Sequence, residues 1–269
     1  MDFKELVLPI LAIGGLGILF GLVLGYASKK FAVPVDERVT KVRELLPGAN
    51  CGGCGFAGCD AYAQAVVDGI AELNACGPGG TAVATGIGGV LGKTVDPNAE
   101  PLKAYVKCNG NCSSAKQKGV YYGATDCNDA MVLPGSGAKA CDYGCMGLGS
   151  CVKACQFGAI DIVDGIAVVD PAACTGCQAC VKACPKSVIE MKPLSHVIRP
   201  ACNSKDKLKD VKDVCAVGCI TCGICGRSCP EGAITFENNL PVIDKEKCTQ
   251  CMTCVQKCPT KAMIAYNKK

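Results

Sequence analysis

Cysteine is the residue that most constrains this chain, because it occupies 25 of 269 positions, whereas tryptophan is absent and phenylalanine occurs only 6 times. One spacing occurs three times: three cysteines lie three residues apart, and a fourth follows four residues later, directly before proline. The runs are Cys174-Cys177-Cys180-Cys184, Cys219-Cys222-Cys225-Cys229 and Cys248-Cys251-Cys254-Cys258. In such a run three thiolates wrap one face of a 4Fe-4S cluster, and the fourth binds a neighbouring cluster. The sequence therefore predicts a protein that carries electrons.

Disulfide bonds and zinc sites account less well for the cysteine content. Disulfide-stapled secreted proteins can be equally rich in cysteine, but 25 is an odd number and thiols three residues apart rarely pair with each other. Structural zinc sites use two separated CxxC pairs, not three cysteines in register before a Cys-Pro. Because few large side chains are available for a core, cluster assembly should supply much of the folding energy.

An uncharged stretch, Leu6–Ser28, precedes the cysteine-rich part. As a helix rising about 1.5 Å per residue it would be roughly 34 Å long, enough to cross a hydrocarbon core of about 30 Å. It is too long for a signal peptide, and MDFKE before it is not net positive. More basic residues follow the stretch than precede it, which predicts a single-pass anchor in the cell membrane with the body on the cytoplasmic side. The basic residues are Lys4 before it and Lys29, Lys30, Arg38, Lys41 and Arg43 after it.

One face of that helix carries Gly17, Gly21 and Gly25, spaced so that a helix of another subunit could approach closely. The formal net charge of +4 counts every cysteine as a neutral thiol. Thiolates bound to clusters would make the loaded protein acidic, so we expect no nucleic acid partner.

An internal repeat joins the cysteine runs into two modules, offset by 74 residues (215 minus 141). Segments 158–170 and 232–244 match each other and predict hairpins that turn at Asp164-Gly165 and Asn238-Asn239. Both modules are therefore predicted to be ferredoxin-like, with two clusters each. Cys141, Cys145, Cys151, Cys155, Cys174, Cys177, Cys180 and Cys184 match Cys215, Cys219, Cys225, Cys229, Cys248, Cys251, Cys254 and Cys258.

Ligation should cross over between the two clusters of a module, so that the last cysteine of each run serves the other cluster. One position departs from the repeat: Leu148 stands where the second module has Cys222. Cys141 is the nearest substitute, and a three-iron cluster is the alternative. The predicted sets are Cys219, Cys222, Cys225 and Cys258; Cys248, Cys251, Cys254 and Cys229; Cys174, Cys177, Cys180 and Cys155; and Cys141, Cys145, Cys151 and Cys184.

A separate quartet, Cys51, Cys54, Cys59 and Cys76, lies upstream of the modules. Residues Phe56–Leu73 predict an amphipathic helix with Tyr62, Val66 and Ile70 on one side. A loop and this helix would enclose a fifth 4Fe-4S cluster, and zinc is the alternative. The remaining cysteines suggest a sixth cluster on Cys108, Cys112 and Cys127, with Cys202 or Cys215 as fourth ligand; spare structural thiols are the alternative.

The predicted fold class is α+β, with a membrane helix, a small helical 4Fe-4S domain and two tandem ferredoxin-like modules. Because no glycine-rich nucleotide motif follows a strand, we expect neither flavin nor NAD on this chain, and no catalytic residues besides the cluster ligands. The expected boundaries are 1–28 for the anchor, 29–50 for a linker, 51–100 for the helical domain, 101–140 for a cysteine-containing connection, 141–200 for module 1 and 201–269 for module 2.

The order of these features resembles the iron–sulfur component designated B of the Rnf complex, the ion-translocating ferredoxin:NAD oxidoreductase of bacterial membranes. The quartet behind one uncleaved helix is the most specific part of the resemblance. The doubled modules and the CNGNC segment (108–112) are similar to an extended version of that component. The cysteine runs alone would also suit the iron–sulfur subunit of a membrane hydrogenase or formate dehydrogenase.

The resemblance implies that soluble reduced ferredoxin gives electrons to this chain, which relays them to membrane subunits carrying flavin. Those subunits would reduce NAD while sodium ions or protons are pumped. By analogy, electrons would enter at the distal modules and leave at the quartet Cys51–Cys76.

Overall fold

The computed structural model describes residues 3–30, 36–94, 100–133, 135 and 137–266, with side chains described from residue 13 onward. Helix α1 extends over Phe3–Lys30. Its described apolar side chains are exposed, and a Cβ built on Gly17, Gly21 or Gly25 would meet no described neighbour within 4 Å. No helix in the described part of the chain combines the length and hydropathy that a membrane crossing requires. The side chains of 6–12, the first part of the predicted span, lie outside the described residues.

Three helices form the domain that follows: α2 (Glu37–Leu45), α3 (Cys59–Val67) and α4 (Gly80–Leu91). The carboxylate of Asp36 caps α2 by accepting a hydrogen bond from the Arg38 amide. These helices enclose an apolar core of their own. Its buried members are Val39, Val42, Leu46, Cys59, Tyr62, Ala63, Val66 and Ile87.

The predicted helix over Phe56–Leu73 is wrong in its extent. Helix α3 ends at Val67, because the chain turns at Gly69, whose φ of 77° is a left-handed conformation that favours glycine. Tyr62 and Val66 are buried as predicted, but Ile70 lies beyond the helix and is 77% exposed.

The remaining elements are short. They are β1 (Leu102–Val106), α5 (Cys127–Val132), α6 (Ser150–Ala154), β2 (Ile160–Val163), β3 (Ile166–Val169), α7 (Ala179–Lys182), β4 (Ile189–Pro193), β5 (Ile198–Pro200), α8 (Leu208–Val214), α9 (Ile224–Arg227), β6 (Ile234–Glu237), β7 (Leu240–Ile243), α10 (Thr253–Gln256) and β8 (Met263–Ala265).

The two predicted hairpins are confirmed. Strands β2 and β3 pair antiparallel with Ile160 opposite Val169, and β6 and β7 pair with Ile234 opposite Ile243. Both central residues of each turn have positive φ, as a tight two-residue turn requires: Asp164 and Gly165 in one, Asn238 and Asn239 in the other. The helices of the modules also recur at the same offset, α6 with α9 and α7 with α10.

Each module is closed by a second two-stranded sheet. Strand β1 comes from the connecting segment and pairs antiparallel with β4, whereas β5 pairs antiparallel with β8. The buried guanidinium of Arg199 lies between the rings of Tyr105 and Tyr266, 4.8 Å from each centroid. Since Tyr105 lies on β1 and Tyr266 follows β8, this stack ties the two sheets together.

Cysteine thiols form a large share of the module cores. The buried cluster of module 1 includes Cys145, Cys151, Cys174 and Cys180, and that of module 2 includes Cys225 and Cys254. Because thiols take so large a share of these cores, the cores depend on whatever the thiols bind.

Candidate electron-transfer centres

All 25 cysteines are free thiols. No group of three or more His, Cys, Asp or Glu side chains among the described residues has the arrangement that could hold a metal ion. The thiols instead gather in sets of four, several of them around small cavities. We number these quartets 1 to 6 by their spatial sequence from the helical domain to module 2.

Quartet 1 consists of the predicted residues Cys51, Cys54, Cys59 and Cys76. Cys59 begins α3, and its amide donates to the Asn50 side chain over 2.8 Å. Burial raises the pKa of Cys76, and the thiols of the other three residues raise it further, which places all four close together. The hydroxyl of Tyr62 donates to the carbonyls of Glu72 and Leu73 and thereby fixes the loop that leads to Cys76.

Quartet 2 lies in module 1 and also has the predicted membership. Its cavity is lined by Cys155, Cys174, Cys177 and Cys180. Two backbone amides point at its sulfur atoms, from Ala104 to Cys174 over 3.5 Å and from Ala159 to Cys155 over 3.4 Å. Burial and the neighbouring thiols raise the pKa of Cys180 to about 12, so iron must displace a proton there.

Quartet 3 differs in one member from the set predicted around Leu148. Cys127, and not Cys141, lines the cavity together with the other three thiols of that set. Helix α5 brings Cys127 to the cavity, and the Cys127 amide donates to the Ser150 hydroxyl at the start of α6 over 2.6 Å. The four thiols that line this cavity belong to Cys127, Cys145, Cys151 and Cys184, and burial together with those neighbours raises the pKa of Cys151 to about 12.

Quartet 4 brings together cysteines that the sequence assigned to two different sets: Cys108, Cys202 and Cys215 to the sixth cluster, and Cys141 to module 1. Its cavity lies where the connecting segment meets the start of module 2 and is lined by Cys108, Cys141, Cys202 and Cys215. Cys202 and Cys215, which the sequence left as alternatives for one ligand, both line this cavity. Cys112 also departs from the predicted sixth set: it is exposed and does not line this cavity.

Quartets 5 and 6 repeat quartets 3 and 2 in module 2. Burial raises the pKa of Cys219 to about 11, and the nearby thiols of Cys225 and Cys258 contribute to the increase. Burial also raises the pKa of Cys225, and the thiol of Cys222 contributes there. The Ala233 amide points at Cys229 over 3.4 Å, which reproduces the Ala159–Cys155 contact 74 residues earlier. Quartet 5 is Cys219, Cys222, Cys225 and Cys258; quartet 6, assigned by the repeat, is Cys229, Cys248, Cys251 and Cys254.

Consecutive quartets are neighbours. Quartets 1 and 2 touch through Gly53 and Cys177, whose backbones are in contact. The thiol of Cys180 in quartet 2 helps to raise the pKa of Cys151 in quartet 3, so these two quartets are also neighbours. The Cys145 amide donates to the Cys108 sulfur over 3.4 Å and links quartets 3 and 4. In the same way, Cys202 of quartet 4 helps to raise the pKa of Cys219 in quartet 5. Cys225 of quartet 5 helps to raise the pKa of Cys254 in quartet 6.

The chemistry of these donor sets suits iron–sulfur clusters. Each quartet supplies four thiols in a largely apolar setting, and amide N–H groups point at sulfur in quartets 2, 3, 4 and 6. Hydrogen bonds of this kind stabilise thiolate charge and adjust cluster potentials. The fold and the sites together define an iron–sulfur electron-transfer protein of the ferredoxin-like class.

Comparisons with family models agree with this class. A 4Fe-4S dicluster domain matches residues 140–188 and 218–262, a second 4Fe-4S dicluster domain matches 173–234, and an Fe-S cluster model matches 46–78. Cys108 and Cys127 lie outside all of these segments, so the spacing within cluster runs gave no signal for either residue.

Several curated relatives match nearly the whole chain. The B component of the ion-translocating oxidoreductase complex of Methanosarcina acetivorans is 45% identical over 96% of this chain and 97% of its own length. The B component of the proton-translocating ferredoxin:NAD(+) oxidoreductase complex of Clostridium ljungdahlii is 46% identical over 93% and 89%. The Na(+)-translocating counterpart of Acetobacterium woodii is 44% identical over 98% and 80%. The chain belongs to the B-component family of these ion-translocating, or Rnf, oxidoreductase complexes.

Proposed function

We propose that this chain is the electron-transfer subunit of a membrane-bound, ion-translocating ferredoxin:NAD oxidoreductase. It receives electrons from soluble reduced ferredoxin and relays them to the flavin-carrying membrane subunits of its complex. The adjacency of successive thiol quartets carries this proposal, because a relay needs closely spaced stations along its whole length. The names of near-full-length relatives in three organisms support the choice of complex over a hydrogenase or formate dehydrogenase.

Each quartet is proposed to hold one 4Fe-4S cluster, which makes six clusters and leaves Cys112 without a ligand role. A bound cluster would accept and release one electron at a time. The protein's part is to hold the thiolates, to point amides at sulfur, and to fix the spacing between neighbouring sites. Crossed ligation contributes to that spacing: α6 and the loop after it carry Cys151 of quartet 3 and Cys155 of quartet 2 within five residues.

The order of stations follows from the contacts between quartets. Electrons would enter at module 2, pass quartet 4 at the junction of the modules, continue through quartets 3 and 2, and leave from quartet 1. Quartet 4 is therefore an internal bridge between the two modules. Quartet 1 belongs to the domain that follows α1, and this position near the anchor suits an exit toward membrane subunits.

Helix α1 is proposed to be the single-pass anchor, with the body on the cytoplasmic side. Leu6–Ser28 contains no charged residue. Large apolar side chains such as Ile13, Leu22 and Leu24 stay exposed along the described part of the helix. Lipid, or a helix packed on the Gly17–Gly21–Gly25 face, would cover this apolar surface.

The direction of flow can be tested in the purified complex. Cys248→Ser removes a ligand of quartet 6 and should block ferredoxin-driven NAD reduction, while dithionite still reduces the cluster of quartet 1. Cys112→Ser is the matched control and should behave as wild type. If the Cys248→Ser complex oxidises ferredoxin at the normal rate, electrons do not enter at module 2. The wild-type chain prepared without oxygen should contain about 24 irons and as many sulfides.

A further inference from the structure

A buried lysine lies between quartets 3 and 4. Lys139 is only 8% exposed, and its ammonium donates to three backbone carbonyls: Gly110 over 2.8 Å, Cys145 over 3.0 Å and Gly165 over 2.6 Å. These acceptors belong to three separate segments, the loop after Cys108, the loop of Cys145 and the turn of the β2–β3 hairpin. One ammonium thus joins the ligand loops of both quartets to the hairpin beside them.

The backbone around Lys139 is held in place independently of its side chain. The Lys118 amide donates to the carbonyl of Ala138, and the Ala140 amide donates to the carbonyl of Lys116. Lys139 therefore sits in a short antiparallel bridge, opposite Gln117. Since this bridge fixes where the side chain starts, the ammonium has a defined location between the two sites.

The charge of Lys139 has no carboxylate partner among the residues that the structure describes. Within the described part of the chain, its ammonium takes part in none of the ion pairs between basic and acidic side chains. A buried charge is costly unless it is compensated. Thiols that can carry negative charge lie beside it: Lys139 lines the cavity of quartet 4 with Cys108, Cys141 and Cys215. Burial raises the pKa of Cys108 and Cys145, and the ammonium acts in the opposite direction on both.

A fixed positive charge at this position should raise the electron affinity of a cluster bound beside it. Adding one electron to a thiolate-bound cluster makes its surroundings more negative, and in a low-dielectric interior a nearby ammonium stabilises that state. The repeat contains no second copy of this charge, because the position 74 residues after Lys139 is Asp213.

We propose that Lys139 is a positioning residue for electron transfer, whose buried ammonium is the counter-charge of quartets 3 and 4 and makes the clusters there easier to reduce. This inference rests on the proposed function, since it requires that the quartets hold clusters. The two can be separated, because iron and sulfide content reports cluster occupancy and midpoint potentials report the role of the lysine.

The test compares Lys139→Gln, Lys139→Met and Lys139→Arg in the full-length chain loaded without oxygen. Lys118→Met is the control, since Lys118 is an exposed lysine on the neighbouring segment that pairs with Asp142. Iron and sulfide are measured first, and each variant is then titrated with a chemical reductant while its paramagnetic signals are recorded. At fixed solution potential, the two neutral variants should show about a tenfold lower ratio of reduced to oxidised cluster for one or two signals, a shift of about 59 mV for one electron.

Each outcome decides the proposal. It is supported if the neutral variants keep their iron and shift while Lys139→Arg and Lys118→Met do not. It is also supported if both neutral variants lose the irons of quartets 3 and 4 while the arginine variant keeps them. Unchanged midpoints in fully loaded neutral variants would overturn it. Loss of iron from all three Lys139 variants would also overturn it, because the lysine would then be only a clamp for the loops. A wild-type chain without clusters would instead refute the proposed function.

Discussion

Gly53, in the first cysteine loop of quartet 1, lies directly against the backbone carbonyl of Cys177 in quartet 2. A Cβ at residue 53 would overlap that carbonyl, and a Cβ at Gly77 would lie 2.5 Å from the carbonyl oxygen of Gly176. The ammonium of Lys182 spans the same contact by donating to the Gly52 carbonyl over 2.9 Å. The helical domain and module 1 therefore meet through main chain, with no side chain at the closest point.

Replacing Gly53 by alanine should separate quartets 1 and 2. The new methyl group has no space beside Cys177, so the loops must move apart, and electron transfer weakens steeply with distance. Rapid-mixing absorbance measurements with reduced ferredoxin should show normal reduction of the modules but delayed reduction of quartet 1.

Gly89→Ala is the matched control for that substitution. Gly89 lies within α4, and a Cβ there meets nothing within 4 Å in the described structure. Alanine should leave electron transfer unchanged and stabilise the helix by about 0.5–1 kcal/mol. Equal transfer rates in the Gly53 and Gly89 variants would show that the backbone contact does not set the spacing.

Cys127→Ser and Cys112→Ser should differ in iron content. Cys127 lines the cavity of quartet 3, whereas Cys112 is exposed and outside every quartet. Loss of the Cys127 thiolate should remove one to about four irons per chain, whereas Cys112→Ser should keep the full complement. Iron and sulfide analysis of proteins purified in parallel gives the answer. A loss of iron confined to the Cys112 variant would reverse the assignment.

Cys141→Ser should divide the relay at its middle. Quartet 4 lies between the modules, so its loss should leave module 2 reducible by ferredoxin while quartets 1 to 3 stay oxidised on the same timescale. Dithionite is a small reductant that does not need to dock at module 2 as ferredoxin does. It should therefore still reduce the clusters on both sides of quartet 4. Ferredoxin-driven NAD reduction by the complex should fall to background. Full NAD reduction by this variant would mean that electrons bypass quartet 4.

Removing iron should unfold the modules before the helical domain. Thiols form a larger share of the module cores than of the core that α2, α3 and α4 enclose around Val42, Tyr62 and Ile87. After chelation, circular dichroism should retain a helical signal but lose the contribution of the hairpins. In that state Ile87→Ala should lower the remaining stability by about 2–5 kcal/mol, measured by urea titration. Loss of all structure in one step would contradict this order.

The features that could be predicted from the sequence are those set by residues close together in the chain. The hairpin turns at Asp164 and Asn238 and the membership of quartets 1 and 2 follow from spacing, because ligands in one loop and turn residues between two strands are close in sequence. The fourth ligand of quartet 3 could not be found in this way. Cys127 reaches it from a segment without a counterpart in the repeat, through a helix docked on Ser150, and only the packing of α5 reveals this contact.

The membership of quartet 4 could not be predicted from the sequence for a related reason. Its members come from four separate segments, and Cys141 and Cys215, which the repeat makes equivalent, line the same cavity. A repeat implies that equivalent residues do equivalent work in separate copies. Here the two copies share one site, and this sharing is visible only in three dimensions. The buried position of Lys139 likewise had no signal, because a lysine between two loops is most often solvated.

The pairing of β1 with β4 and of β5 with β8 places the strand before each set of cysteine loops beside the strand after it. A folding unit whose entry and exit adjoin can be joined to the next by a short connection and still keep its internal geometry. Such units can follow one another in a chain, and cysteines near the junction of two units can form an additional cluster site there, as quartet 4 does. An electron relay of this design can therefore be lengthened by whole modules, with no change to the helical domain at its other end.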